Sequence, residues 1–260
     1  MEIEIGIGKS GRRAYGFDDI AIVPSRRTRD PQDVSIDWEI DAYKFSLPVI
    51  SSAMDGVTSP QTAIEMGRLG GLGCLNLEGL FTRYEDPEIV LEEIAQLPIE
   101  KATIRMQEIY EEPVKPELIT QRINEIKAGG VTTCASLTPQ QVDKYLKYVT
   151  DADLDILVIQ GTVVSAQHVS KNGVTLDLAS FIRQLDIPVI VGGCASYSGA
   201  LHLMRTGAAG ILVGVGPGHA CTSRGVLGIG VPQATAIADA AGARIRHLDE
   251  TGVYVQVIAD

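Results

Sequence analysis

Cysteine is scarce in this chain: four among 260 residues, at Cys74, Cys134, Cys194 and Cys221, with no CxxC pair. That spacing excludes a disulfide-stapled scaffold and a Cys-rich zinc module, and it suits free thiols. Positive charge is short as well, with 22 Lys and Arg against 33 Asp and Glu and a formal charge of −11. Such a surface repels nucleic acid and anionic lipid, so neither is expected as a partner. No apolar run approaches the roughly 18 residues of a membrane span, and MEIEIGIGKSGRR lacks the basic-then-apolar order of a signal peptide. A soluble, cytoplasmic protein is expected. Aromatics make up only 5 %, while 45 % apolar residues and 27 glycines match an ordinary globular α/β protein.

What is present is alternation. Seven short apolar runs are read as buried parallel strands: residues 47–52 (LPVISS), 71–76 (GLGCLN), 131–136 (VTTCAS), 155–160 (DILVIQ), 187–192 (IPVIVG), 210–214 (GILVG) and 254–259 (YVQVIA). Between them, Val142, Tyr145, Leu146 and Val149 recur at helical spacing, as do Leu178, Phe181, Ile182 and Leu185. Ser59-Pro60 reads as a helix N-cap followed by proline at the first helical position. An insertion over about residues 77–130 has room for extra helices, in PEIVLEEIAQLP and PELITQRINEIKAG, around a connector marked by Glu111, Glu112, Pro113 and Pro116. Repeated βα units close as a (β/α)8 TIM barrel or open as a doubly wound sheet. No GxGxxG follows the first strand, and glycine-rich segments follow several strands, which favours the barrel. Residues 1–260 are expected to form one catalytic barrel domain. It would hold only about seven of the eight strands, because the seventh stops at Asp260 and the chain looks truncated there.

The chemistry is expected at the C-terminal strand ends, where barrels collect their sites. These ends are polar: Ser51, Ser52, Met54 and Asp55 after the first strand, Asn76 and Glu78 after the second, Gln160, Gly161 and Thr162 after the fourth, Gly193 after the fifth and Asp260 after the seventh. Ser51 and Thr162 equally suit helix capping. The densest glycine segment, residues 214–240, opens with GVGPGHACTSR. Gly214, Gly216 and Gly218 free its backbone to present N–H and C=O groups to an anion or a dehydrated cation. The loop delivers Cys221, read either as a nucleophile whose thiol is acidified by nearby N–H groups or as a small buried thiol in a tight turn. Ser223 lies two residues on, with a hydroxyl able to pass a proton.

PVISSAMDGVTSP, GRLGGLGCLN, GVGPGHACTSR, GVPQATAI and the terminal VIAD resemble, in order and spacing, the barrel of the IMP dehydrogenase and GMP reductase family. The similarity runs from about Tyr15 onward and is greatest to IMP dehydrogenase-related proteins that lack the regulatory CBS domains, a short helical insertion standing in their place. The resemblance implies oxidation of IMP to XMP with NAD, in guanine nucleotide biosynthesis, by a homotetramer. Cys221 would attack C2 of the hypoxanthine ring, and Ser223 would help to activate the hydrolytic water. Ser52, Met54, Gly218, His219 and Asp260 would bind the nucleotide, with Asp260 gripping the ribose hydroxyls and His219 standing where the family usually has Ser. Gln160, Gly161, Thr162, Gly193 and Gly214 would face NAD, Gln160 and Gly193 replacing an Asp and an Asn of the family. Carbonyls of Gly216, Gly218 and Cys221 would hold a potassium ion. The flap that activates water and the eighth strand would follow Asp260. Two alternatives stand beside this reading: an NADPH-dependent GMP reductase, and a non-catalytic purine-nucleotide-binding regulator.

Overall fold

All seven apolar runs form strands in the computed structural model, which describes residues 2–166, 176–219 and 221–260. The chain divides into two units, one made of residues 36–160 and 186–189 and the other of residues 1–35, 161–185 and 190–260.

In the first unit four strands pair in sequence order and in parallel: Ile50–Ser51, Leu72–Asn76, Cys134–Leu137 and Ile156–Gln160. Leu72, Leu75, Cys134, Ala135, Leu157 and Ile159 are buried, as residues of strands covered on both faces must be. Parallel neighbours need crossovers. Helix Pro60–Arg68 begins as the sequence predicts, with Pro60 at its first position and Ser59 Oγ accepting from Thr62 N at 3.0 Å. Ser51 caps no helix; its hydroxyl accepts from Thr58 Oγ1 at 2.8 Å. The helix lies flush on the second strand because Gly73 has no side chain, and a Cβ there would sit 2.3 Å from Ala63 Cα. Helix Val142–Asp151 buries Val142, Tyr145 and Val149 at the expected spacing.

The insertion contains three helices, Pro87–Gln96, Ile99–Glu111 and Pro116–Ala128. The sequence reading names the outer two; the middle one buries only Ile109 and so carries little apolar stripe. Leu80, Val90 and Ile109 form a small core with Tyr84, Leu91 and Ile94 around it. Two arginines finish the assembly by donating to backbone carbonyls: Arg83 to Glu78, Tyr110 and Glu112, and the buried Arg122 to Phe81, Tyr84 and Glu85. Arg122 also pairs with Glu125 at 2.7 Å. Ahead of the first strand runs an antiparallel hairpin, Trp38–Ile40 and Tyr43–Phe45, closed by Trp38 stacked on Phe45 at 4.6 Å.

In the second unit three strands, Val189–Cys194, Gly210–Val213 and Gln256–Ala259, again pair in parallel and in order. Helix Tyr197–Met204 is capped by Ser196, whose hydroxyl accepts from Gly199 N at 3.2 Å. It packs on the long helix Gln233–Thr251. The buried stripe of that helix is Gln233, Ala236, Ala240, Ala243 and His247, mostly small residues that let two helix backbones approach. An N-terminal hairpin, Glu2–Gly6 and Lys9–Arg12, is tied to the same helix by an ion pair between Arg12 and Asp239. Tyr15 N donates to Thr235 Oγ1 at 2.8 Å beside it.

Overpacking a tight backbone contact typically costs about 1–3 kcal/mol. Gly73→Ala should therefore lower the urea unfolding free energy by that amount. Gly56→Ala, whose added Cβ meets nothing within 4 Å, should leave the midpoint near that of the unaltered chain.

Candidate active site

Three strand ends of the second unit are laced together by main-chain bonds, and they bring Gly161, Thr162, Gly193 and Gly214 side by side. Gly161 and the Gly192-Gly193 pair exchange two bonds, Gly161 N to Gly192 O and Gly193 N to Gly161 O, both 2.9 Å. Gly214 N donates to Cys194 O at 2.8 Å and Asp260 N to Val213 O at 2.9 Å. The approach is so close that a Cβ on Gly193 would lie 2.6 Å from Gly214 O, and one on Gly214 would lie 2.0 Å from Asp260 O. Only glycine fits either position. Thr162, exposed, contributes its carbonyl 3.4 Å from the same point on Gly193.

From Gly214 the chain leaves the sheet and returns at Val231, whose N–H donates to Val215 O at 3.1 Å and closes the base of a loop. Within it Gly216 adopts φ of 68°, a left-handed conformation natural to glycine. Arg224 packs its aliphatic stem between two glycines: a Cβ on Gly216 would be 2.7 Å, and one on Gly230 2.2 Å, from Arg224 Cγ. The outward part of this loop carries Gly218, His219 and Cys221, all exposed, and Cys221 N donates to Gly218 O at 3.1 Å. The short helix Ser223–Leu227 follows.

The four thiols divide by exposure: Cys74, Cys134 and Cys194 are buried, while Cys221 is exposed and so is not a small buried thiol in a tight turn. Their acidities divide too. Burial pushes the Cys134 thiol well up and that of Cys194 to about 11. Cys221 moves the other way. Hydrogen bonding from the Ser223 hydroxyl and backbone N–H holds the thiol below its ordinary range, against the opposing effects of partial desolvation and of Asp260. Ser223 thus favours the Cys221 thiolate and Asp260 opposes it.

The other predicted residues lie on the first unit. Ser52 and Met54 are exposed on the turn after the first strand, where Ser52 O accepts from Met54 N at 2.8 Å and from Thr58 Oγ1 at 2.6 Å. Gln160 ends the fourth strand, half-buried. Two residues of the loop's frame escape the sequence reading. Gln233, buried, donates through Nε2 to Val213 O at 2.6 Å and to Asp260 O at 3.2 Å, tying two strand ends to the start of the long helix. Its signal is a polar residue heading a buried alanine stripe. Arg224 looks like any exposed cation in sequence, and only its flanking glycines mark it. Among the described residues no group of three His, Cys, Asp or Glu is placed to hold a metal ion, and no helix is long and apolar enough to cross a membrane.

A model of the IMP dehydrogenase / GMP reductase domain matches residues 14–260. The chain belongs to that family. An uncharacterized oxidoreductase of Mycolicibacterium smegmatis is 49 % identical over 99 % of this chain and 71 % of its own length. An IMP dehydrogenase of Borreliella burgdorferi is 27 % identical over 89 % of this chain and 60 % of its own. The crystal structure of an IMP dehydrogenase/GMP reductase-like protein from Corynebacterium glutamicum superposes with a TM-score of 0.92 at 45 % identity, over 100 % of this chain and 69 % of that one. The family likeness in fold therefore covers the whole chain, which carries seven parallel strands of the expected (β/α)8 barrel. Its membership is that of an oxidoreductase family.

The setting of the thiols leads to a measurable contrast. Iodoacetamide should label Cys221 in the folded protein, while Cys74, Cys134 and Cys194 should react only as the chain unfolds. Ser223→Ala removes a donor that favours the thiolate, so the midpoint of the alkylation rate against pH should move upward toward that of an ordinary thiol. An unchanged or lowered midpoint would contradict the hydrogen bond.

Proposed function

We propose that the protein oxidises IMP to XMP with NAD through a covalent bond to Cys221. One observation carries this reading: the exposed thiol on the family loop is the one whose acidity is increased, and the strand ends of the same unit present bare glycine backbone. The Cys221 thiolate adds to C2 of the hypoxanthine ring, forming a C–S bond. When bound, NAD supplies the acceptor for the hydride that leaves C2. Water then adds to C2, the C–S bond breaks, and the electron pair returns to sulfur, so that IMP, NAD and water balance XMP, NADH and a proton. Ser223 holds the sulfur ready through its hydroxyl and N–H, and the same hydroxyl is free to serve the departing thiolate in the hydrolytic half. Water activation is completed by groups of the family flap.

The residues present fit a dinucleotide. Gly161, Gly193 and Gly214 offer a surface without side chains, and Thr162 adds a polar group beside it. Gln160 supplies an amide where the family has a carboxylate, so ribose hydroxyls there can both donate and accept. Asp260, beside Gly214, offers a carboxylate to the ribose diol of IMP, and Gly218 and His219 offer an N–H and an imidazole to its phosphate. Ser52 and Met54 supply a hydroxyl and an apolar face for the base. The carbonyls of Gly216, Gly218 and Cys221 are hard oxygen donors of the kind potassium takes, although Gly218 O already accepts from Cys221 N. A homotetramer suits the exposed apolar side chains Ile5, Ile7, Ile22 and Val23 of the N-terminal segment.

The complete gene product given IMP and NAD should form XMP and NADH together, and GMP with NADPH should give no IMP. Cys221→Ser should retain IMP binding and lose turnover by several orders of magnitude, because a neutral hydroxyl is a far weaker nucleophile than a thiolate. Formation of IMP from GMP and NADPH would reverse the direction assigned. IMP binding without turnover in either direction would leave the regulator reading in its place.

A further inference from the structure

The turn after the first strand is held by a residue of the insertion. Asp55 Oδ2 accepts from Leu80 N at 2.8 Å and from the hydroxyl of Tyr110, which stands in the last turn of helix Ile99–Glu111. The carboxylate lies flat on Gly79, where an added Cβ would be 1.9 Å from Oδ1. Tyr110 is itself fixed twice by Arg83. The guanidinium donates to Tyr110 O at 3.0 Å and lies over its ring at 5.5 Å, while further bonds to Glu78 O anchor it beyond the second strand. The chain of contact runs from the insertion through Tyr110 to Asp55, the residue next to Met54.

The other side of the turn is fixed without the insertion. Thr58 Oγ1 bonds both Ser51 Oγ and Ser52 O, and Thr58 N and Val57 N donate to Met54 O at 2.9 Å. Asp55 and Thr58 thus grip the turn from opposite ends. Loss of the Tyr110 bond would leave Asp55 held by Leu80 N alone, with the turn formed but less confined.

We propose that Tyr110 is a positioning residue that acts through Asp55 to hold Ser52 and Met54 in place, so that the helical insertion sets the affinity of the strand-one turn for the nucleotide. The inference rests on the reading of Ser52 and Met54 as nucleotide-binding residues. Its physical basis is preorganisation: a turn already confined loses less freedom when it receives a ligand. Tyr110 is half exposed, and neither its ring packing with Arg83 nor the carbonyl bond needs the hydroxyl, so removing that oxygen leaves the fold intact.

Tyr110→Phe in the full chain tests this by two readouts. Without ligand, amide hydrogen exchange at Met54, Val57 and Thr58 should quicken while the melting temperature holds. With ligand, IMP binding by calorimetry should weaken about three- to tenfold, the size of one net hydrogen bond. The KM for IMP should rise with it while kcat and Cys221 alkylation stay put, as expected of binding lost equally from ground and transition states. Unchanged exchange at those amides overturns the proposal, as does quickened exchange with unaltered IMP affinity. If the unaltered chain binds no IMP, the nucleotide reading itself fails, and that failure is told apart because the exchange measurement needs no ligand.

Discussion

At the ends of its last three strands this protein sets backbone directly against backbone. Gly193 abuts the Gly214 carbonyl and Gly214 abuts that of Asp260, with no space for a methyl group at either step. The neighbouring main-chain bonds at 2.8–2.9 Å are possible because of that closeness. From it follow the bare surface beside the loop, the direction in which the loop leaves Gly214, and the position of the exposed thiol at the loop's far side. The glycines carry no chemistry of their own. They determine what stands next to what.

Exposure and local hydrogen bonding set one cysteine apart from the other three. Burial disfavours the charged form of Cys134 and Cys194, which sit within strands. Cys221 stands off the sheet, where water remains and Ser223 adds two donors. An acidic chain with formal charge −11 is a poor general environment for a thiolate, and the nearby Asp260 opposes it. Local hydrogen bonds outweigh that background because they act at contact distance, whereas surface charge is screened within about 10 Å.

Much of this was legible in the sequence because it depends on local signals. Continuous apolar runs marked the seven strands, Ser59-Pro60 marked a helix start, and the glycine-rich loop marked the place of Cys221. What escaped has a weak local signal or depends on partners far along the chain. The hairpin Trp38–Ile40 with Tyr43–Phe45 has three-residue strands, too short to show an alternation, and exists through the stacking of Trp38 on Phe45. Helix Ile99–Glu111 buries one residue, so periodicity barely registers. Gln233, Arg224 and Tyr110 are ordinary polar residues until the carbonyls, glycines or carboxylate they meet are brought beside them. The N-terminal hairpin likewise depends on a contact between Arg12 and Asp239, 227 positions apart.

The insertion is bound together largely by what side chains do to main chain. Arg83 and Arg122 read the carbonyls of residues 78, 81, 84, 85, 110 and 112, atoms that every amino acid possesses. For these bonds, the identities of the recognised residues are immaterial and their positions are everything. Over evolutionary time the exposed positions of such a segment are free to drift in sequence while its two arginines and its small core persist, but a gain or loss of a single residue between positions 78 and 112 would misalign the carbonyls. Relatives that share this architecture should thus vary widely in composition here and scarcely at all in length.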